Sequence, residues 1–308
     1  MRDQGHPRFG YFDQPVTTMG LTGLSQLKAG KLPKRFYFAG VLGPEVCLSV
    51  GIVHLGYLAR GFLKIFDLRT GTQRPVVERG FLIPGALGVR FDDNPDRAHA
   101  TAAMPGYGAV AMRIEENSLI VEADIRRTKV ELELKLGVAP LRVCTRTGLA
   151  GWNYTEKCAG LEVKRAKISG EDWGPETVLL SEELTGVTDW TFGMLRLETF
   201  WQWACFAGKL EDGRRIAGNL TVGINETGFT DNALWIDGKR ELLAATAIEF
   251  NPERISEDLW TIRDAQGKLG LTARPLRFSL DETNLGVLKS RFHQGVGEFS
   301  GEIKSYGK

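Results

Sequence analysis

Residues 189–238 read DWTFGMLRLETFWQWACFAGKLEDGRRIAGNLTVGINETGFTDNALWIDG, and this stretch decides the fold class. Four of the chain's seven tryptophans fall in it, interleaved with Asp189, Asn219, Asn225, Asp231 and Asn232. Runs with strand-like alternation, such as 195–207, are separated by turns at Glu211-Asp212-Gly213 and Asp237-Gly238. Aromatic strands with polar residues between tight turns imply an antiparallel β-barrel or sandwich with a polar-dotted aromatic interior.

Working outward, the same signals recur. Val130, Leu132, Leu134 and Leu136 alternate with charged residues, and Leu119, Val121, Ala123 and Ile125 do so just before them. The two runs, joined through Arg126-Arg127-Thr128, predict a hairpin with one wet face. Helical patterns are short and few, at 21–29 and 242–247. A similar rhythm in 160–170 and 295–305 suggests two β units in tandem, with a junction near 170–175. We therefore expect units at 1–172 and 173–308. The formal charge of +1 over 308 residues gives no general attraction for nucleic acid. No apolar run reaches the ~18 residues of a membrane helix, so no membrane insertion is expected. The first fifteen residues lack the apolar core of a signal peptide, which predicts a cytoplasmic protein. The four cysteines are widely spaced, without a CxxC pair, and no HExxH spacing occurs; neither a metal nor an organic cofactor is expected. Motifs of Rossmann enzymes, P-loop NTPases and α/β-hydrolases are missing.

The segments FAGVLGPEVCLSVGIVHLGYLARGFLKIFDLRTG, DWTFGMLRLETFWQWACFAG, GRRIAGNLTVGIN, DNALWIDGK and FHQGVGEFSGEI resemble, in that order, a family catalogued as a domain of unknown function, number 2804. The family is more distantly similar to tandem lipocalin-like proteins, among them carotenoid hydratases, AttH proteins and certain lipocalin-like cyclases. The resemblance implies an all-β protein of two tandem lipocalin-like antiparallel β-barrels. It brings no established activity. The family pattern has a Glu before the Asn of DNALW, whereas this chain has Asp231, shorter by one methylene.

Several residues are candidates for chemistry. Trp201 and Trp203 share one face of a strand and suit an apolar ligand or a carbocation; barrel packing accounts for them as well. Asp189 is either an acid with a raised pKa or a turn former. Asn219, Asp231, Asn232 and Trp235 suit either a barrel-mouth site or a hydrogen-bonded loop network. His54, in an apolar strand with Tyr57 nearby, is either an acid-base group or a structural histidine. Three functions follow. The first is binding of a hydrophobic small molecule (lipid, isoprenoid or polyketide) among Trp190, Trp201, Trp203 and Trp235. The second is a cofactor-independent hydratase, isomerase or cyclase using Asp189 or Asp231. The third is a filled scaffold that binds nothing.

Overall fold

The computed structural model describes residues 2–3, 6–19, 32–69, 75–85, 87–149, 151–171, 173–196, 198–224, 228–284, 286 and 289–304. The helical pattern at 21–29 and the Asn225 loop lie outside them.

Two short strands, β1 (Arg2–Asp3) and β2 (His6–Pro7), pair with each other. The large sheet comprises β3 (Gly10–Tyr11), β4 (Lys34–Leu42), β5 (Val46–His54), β6 (Leu58–Asp67), β7 (Val77–Pro84), β8 (Val89–Phe91), β9 (His99–Met104), β10 (Gly108–Glu115), β11 (Ser118–Ile125), β12 (Thr128–Lys135), β13 (Leu141–Thr147), β14 (Gly151–Gly170), β15 (Gly174–Val178) and β16 (Thr185–Met194). Its main path runs β7-β6-β5-β4-β16-β14-β12-β11-β10-β9-β8. The sheet curls into a nearly closed barrel, because its two end strands are neighbours in sequence and β7 touches β9. β11 and β12 form the expected hairpin, with Val130, Leu132 and Leu134 buried.

β14 is long enough to serve two neighbours. Its first half pairs with β13 and β16, and its second half with β12. A register shift between Ala159 and Leu161 turns the strand, at Gly160 with φ +85°. That left-handed backbone favours glycine, and a bulge there sharpens the curvature of the sheet.

β16 lies between β4 and β14, so the large sheet runs on to Met194, beyond the junction expected at residues 172 and 173. Two four-stranded sheets follow. One holds β17 (Gln202–Lys209), β18 (Arg215–Val222), β19 (Ala233–Ile236) and β20 (Lys239–Leu242). The other holds β21 (Thr246–Glu249), β22 (Trp260–Asp264), β23 (Leu269–Asn284) and β24 (Lys289–Ile303). Over 242–247, where a helix is expected, the chain ends β20, links across 243–245 and enters β21. Leu243 is buried there in the second core, and its N–H donates to Asn232 O at 3.0 Å. Tertiary burial outweighs a weak local preference.

The period-two alternation of strands splits the β17–β20 sheet between two cores. Phe206, Ile216, Leu220 and Leu234 face Ile248, Ile262, Leu269 and Leu271 of the last sheet. Ala217, Ala233, Trp235, Trp203 and Cys205 face Phe38, Phe62, Ala159 and Val187 on the outside of the large barrel. That second contact is the seam between the two units. The far half of the β23–β24 hairpin also lies on the barrel. Lys64, fully buried, donates to Ser279 Oγ at 2.9 Å, lies 3.3 Å from Glu78 and sits over the Phe292 ring. Gln294 donates to Ser49 Oγ at 2.7 Å.

Candidate functional site

The residues singled out in the sequence converge on a lysine that the sequence reading missed. On the outer face of the barrel, Lys157 of β14 stands opposite Asp189 of β16. Its ammonium has three protons to donate, and three partners receive them. Asp189 Oδ2 lies at 3.1 Å, Asp231 Oδ2 at 2.9 Å and Thr221 Oγ1 at 3.3 Å. Asp189 Oδ1 in turn accepts from Thr155 Oγ1 at 3.0 Å and Thr191 Oγ1 at 2.8 Å. The Trp203 ring lies beside the ammonium, 5.8 Å from Nζ, and donates its N–H to Asn219 Oδ1 at 2.6 Å. Asn219 Nδ2 donates to the Asp231 carbonyl at 2.6 Å. Asn232 accepts from the Thr221 N–H at 2.6 Å and donates to the Ala244 carbonyl at 3.1 Å. Trp235 donates to the Ala139 carbonyl at 2.9 Å. Burial alone pushes the Lys157 pKa down, but the two carboxylates outweigh it and hold the ammonium above the usual lysine range.

Asp189, Asp231, Asn219, Asn232, Trp203 and Trp235 thus meet at the seam. The other candidates go elsewhere. Trp190 follows Asp189 on β16 and therefore points to the opposite face, into the barrel core. Trp201 is 45% exposed and Tyr57 53% exposed, so the four tryptophans do not line one cavity. His54 ends β5, half-buried, where its Nδ1 accepts from the Gly56 N–H at 3.0 Å. Burial and then Arg35 lower its pKa. Lys157 gives little signal in the sequence: it shares a strand face with Thr155 and Ala159 but stands beside Glu156 in a mixed polar segment, as a solvated strand charge would.

The inner face of the same strands carries a second polar row. In register across β4, β16, β14 and β13 stand Tyr37, Trp190, Glu156 and Arg142. Tyr154 donates its phenol to Glu156 Oε1 at 2.6 Å. Arg142 Nε lies 3.1 Å from Glu156 Oε2, but its N–H does not line up as a hydrogen bond. Burial raises the Glu156 carboxyl above the usual glutamate range, against the opposing pull of Arg142 and Tyr154. Burial also raises the Tyr37 and Tyr154 phenols, and both stay protonated. The row has an aromatic wall: Trp190 stacks on Phe192, whose ring stacks on Trp152, and Phe91 tilts against Trp190. Segment 10–19 covers it. Phe12 meets the Tyr154 ring edge-on, its N–H donates to the Arg142 carbonyl at 3.0 Å, and Val16 and Met19 are buried in the barrel core.

Two open depressions are lined by described residues, and neither includes Lys157 or Glu156. One, of about 710 Å³, lies by Met104, Tyr107, Arg126 and Arg127; the other, of about 210 Å³, lies by Arg215 and Trp235. Among the described residues, no group of three or more His, Cys, Asp or Glu side chains is placed to hold a metal ion, and no helix is long and apolar enough to cross a membrane.

A family model described as a domain of unknown function, DUF2804, matches residues 1–307. The chain belongs to that family. No curated protein matches it. Among solved structures it is similar to kievitone hydratase from Nectria haematococca, with a TM-score of 0.52 and 8% identity, over 94% of this chain and 96% of that one. At that identity the likeness is one of fold, and it agrees with the lipocalin-like tandem architecture.

Proposed function

We propose that the protein binds a small molecule with an apolar, ring-bearing body inside the mouth of the large barrel, with Glu156 meeting its polar end. The observation that carries this is Glu156 itself. It is a carboxyl with a raised pKa, it stands opposite an indole, and it is held by a phenol in a barrel interior. A buried carboxyl shifted by desolvation beside a specific charged partner is a candidate functional group. Lipids, isoprenoids and polyketides fit the apolar wall. The seam cluster, with every Lys157 proton engaged, serves in this reading to join the two units.

The test is tryptophan fluorescence against a panel of ring-bearing apolar molecules, with Trp190→Phe and Trp203→Phe alongside. Quenching that weakens in Trp190→Phe and survives in Trp203→Phe supports the barrel site. A flat response across the panel sinks it. Quenching lost only in Trp203→Phe moves the site to the seam, and with it the roles expected of Asp189 and Asp231.

A second reading, a cofactor-independent hydratase, is favoured by the same carboxyl and by the fold shared with kievitone hydratase. Protonated Glu156 would give its proton to one carbon of an alkene. Water would add to the other carbon and return a proton to the carboxylate. Glu156→Gln then keeps binding and loses turnover; equal loss of both points to a binding role alone.

A further inference from the structure

The Glu156 row has a cover that few backbone bonds hold. Residues 9–19 form a strap over Tyr154 and Arg142, the two side chains that grip Glu156. Backbone pairing secures only its first part. Gly10 and Tyr11 pair with Cys144 and Val143, and the Phe12 N–H donates to the Arg142 carbonyl at 3.0 Å. From Phe12 to Met19 the strap forms neither strand nor helix. Side chains hold the rest. Phe9 and Phe12 pack against the barrel core, with the Arg146 and Arg8 guanidinium groups over their rings, and Val16 and Met19 are buried in that core. Arg142 also donates to the Asp13 carbonyl at 3.3 Å.

Tyr11 turns the other way, to the second unit. Its ring meets Phe229 edge-on at 5.6 Å, and its hydroxyl oxygen accepts from the Thr230 N–H at 3.2 Å. The next residue is Asp231, which Lys157 holds at 2.9 Å. The strap thus spans from the barrel mouth to a segment pinned by the seam network. With the strap in place the Glu156 side chain is only 12% exposed, and neither open depression reaches it. A segment held by few backbone bonds opens locally at a fraction of the free energy of global unfolding. We propose that residues 9–19 are a gate: they lift off β13 to admit a small molecule to the Glu156 row, then close over it, with Tyr11 as the latch. What passes the gate rests on the barrel reading above; the opening itself does not. Such a cover excludes water from a bound molecule and sets the rate at which it enters and leaves.

Cys144 reports the opening without any ligand. It is fully buried in the barrel core and pairs with Gly10 of the strap. The full chain carrying Cys47→Ala, Cys158→Ala and Cys205→Ala is treated with dithionitrobenzoate. Labelling of Cys144 should be nearly independent of low urea, as local opening is, and Tyr11→Ala should speed it about tenfold. A rate that climbs with urea as steeply as global unfolding overturns the gate, and a rate unmoved by Tyr11→Ala overturns the latch. In the unaltered chain, the Phe12 amide should exchange at least about tenfold faster than the paired amides of β14 and β16; exchange as slow as theirs also overturns the gate. Entry is tested by Tyr11→Cys/Val143→Cys. These residues face each other across β3 and β13 beside the bonded Phe12–Arg142 pair, so their Cα atoms are about 4.5 Å apart, within reach of a disulfide. Any ring-bearing molecule that quenches Trp190 should do so at least about tenfold more slowly in the oxidised variant and recover its rate on reduction. An unchanged rate shows that entry does not pass the strap. Local opening at Cys144 with no quenching by any molecule sinks the barrel site and leaves the moving strap standing.

Discussion

One pair of strands has two faces, and the molecule uses them differently. On β14 and β16, Lys157 and Asp189 point outward, while their neighbours Glu156 and Trp190 point inward. Outside, the groups around Lys157 are paired: one ammonium, two carboxylates and four hydroxyl or amide partners form a network, although the Asn153 amide oxygen on the same face of β14 has no partner. Inside, matching is incomplete: a carboxyl with a raised pKa, an arginine poorly aligned to it and two indole donors without acceptors. A satisfied polar network rigidifies and specifies an interface, and an unsatisfied one is where a ligand has something to gain. The comparison teaches that burial of charge alone does not identify a site. What distinguishes the Lys157 cluster from the Glu156 row is how completely its polar groups are paired.

The sharpest way to break that comparison is Lys157→Met. It leaves Asp189 and Asp231 buried and facing each other without a cation, and removing one partner of a buried ion pair typically costs about 3–5 kcal/mol. A urea midpoint well below that of the unaltered chain is expected. Combining Lys157→Met with Asp189→Leu and Asp231→Leu should recover most of the loss, because apolar replacement of a whole buried network is often neutral. The sign with pH follows from the raised Lys157 pKa. Its contribution is fully present below the unfolded lysine value of about 10.4 and is lost as pH rises through the higher folded value. A Lys157→Met variant as stable as the parent would mean that the seam is not held by this network.

Much of this was legible in the sequence, and the limit has a physical cause. The alternation of Val130, Leu132 and Leu134 named a half-buried strand, and the glycine-bearing turns named an antiparallel fold. Of the residues that the sequence crowds together from 189 to 235, Asp189, Trp203, Asn219, Asp231, Asn232 and Trp235 lie at the seam, while Trp190 and Trp201 do not. The seam lysine, Lys157, comes from a strand over thirty residues upstream of Asp189, and only the β14–β16 register brings the two together. Composition carries no register, and a one-residue slip exchanges the faces. That is why the sequence pattern sets Trp190 beside Trp203 and does not single out Glu156 or Lys157. The insertion of β16 between β4 and β14 was hidden for the same reason, since a strand's neighbours in the sheet need not be its neighbours in the chain.

A second buried lysine sharpens the comparison at smaller amplitude. Lys64 has one carboxylate, Glu78, where Lys157 has two, and Glu78 is itself shared with Arg60 at 3.7 Å. Burial lowers the Lys64 pKa, and Glu78 offsets only part of that. Lys64→Met leaves Glu78 with Arg60 and with the Ser279 hydroxyl, so no isolated charge remains. The expected loss is about 1.5–3 kcal/mol, the scale of a lost charged hydrogen bond. It should show as faster amide exchange in the far half of the β23–β24 hairpin. The pH slopes of the two lysines oppose each other. Stability linked to Lys64 rises with pH up to the unfolded value of about 10.4, because the unfolded chain binds the extra proton in that window. A loss at Lys64 as large as that at Lys157 would show that partner count does not set the energy of these buried cations.

The smallest effect is at Glu156, and its sign is the informative part. A carboxyl with a raised folded pKa keeps its proton where the unfolded chain has lost it. Unfolding stability therefore falls as pH rises from the unfolded glutamate value of about 4.3 towards the folded one, and levels off above it. Glu156→Gln removes the titration and keeps a carbonyl oxygen to accept the Tyr154 phenol. The variant should match the parent at acid pH and exceed it at neutral pH by under about 1 kcal/mol, the scale of one net hydrogen bond. A seam carboxylate behaves in the opposite way: Asp231→Asn withdraws a charge that Lys157 uses at 2.9 Å and destabilises. If both variants destabilise at neutral pH, the inner face is as fully paired as the outer one. Opposite signs from two acidic residues on the two faces would establish that the barrel interior holds a proton that the fold itself does not need.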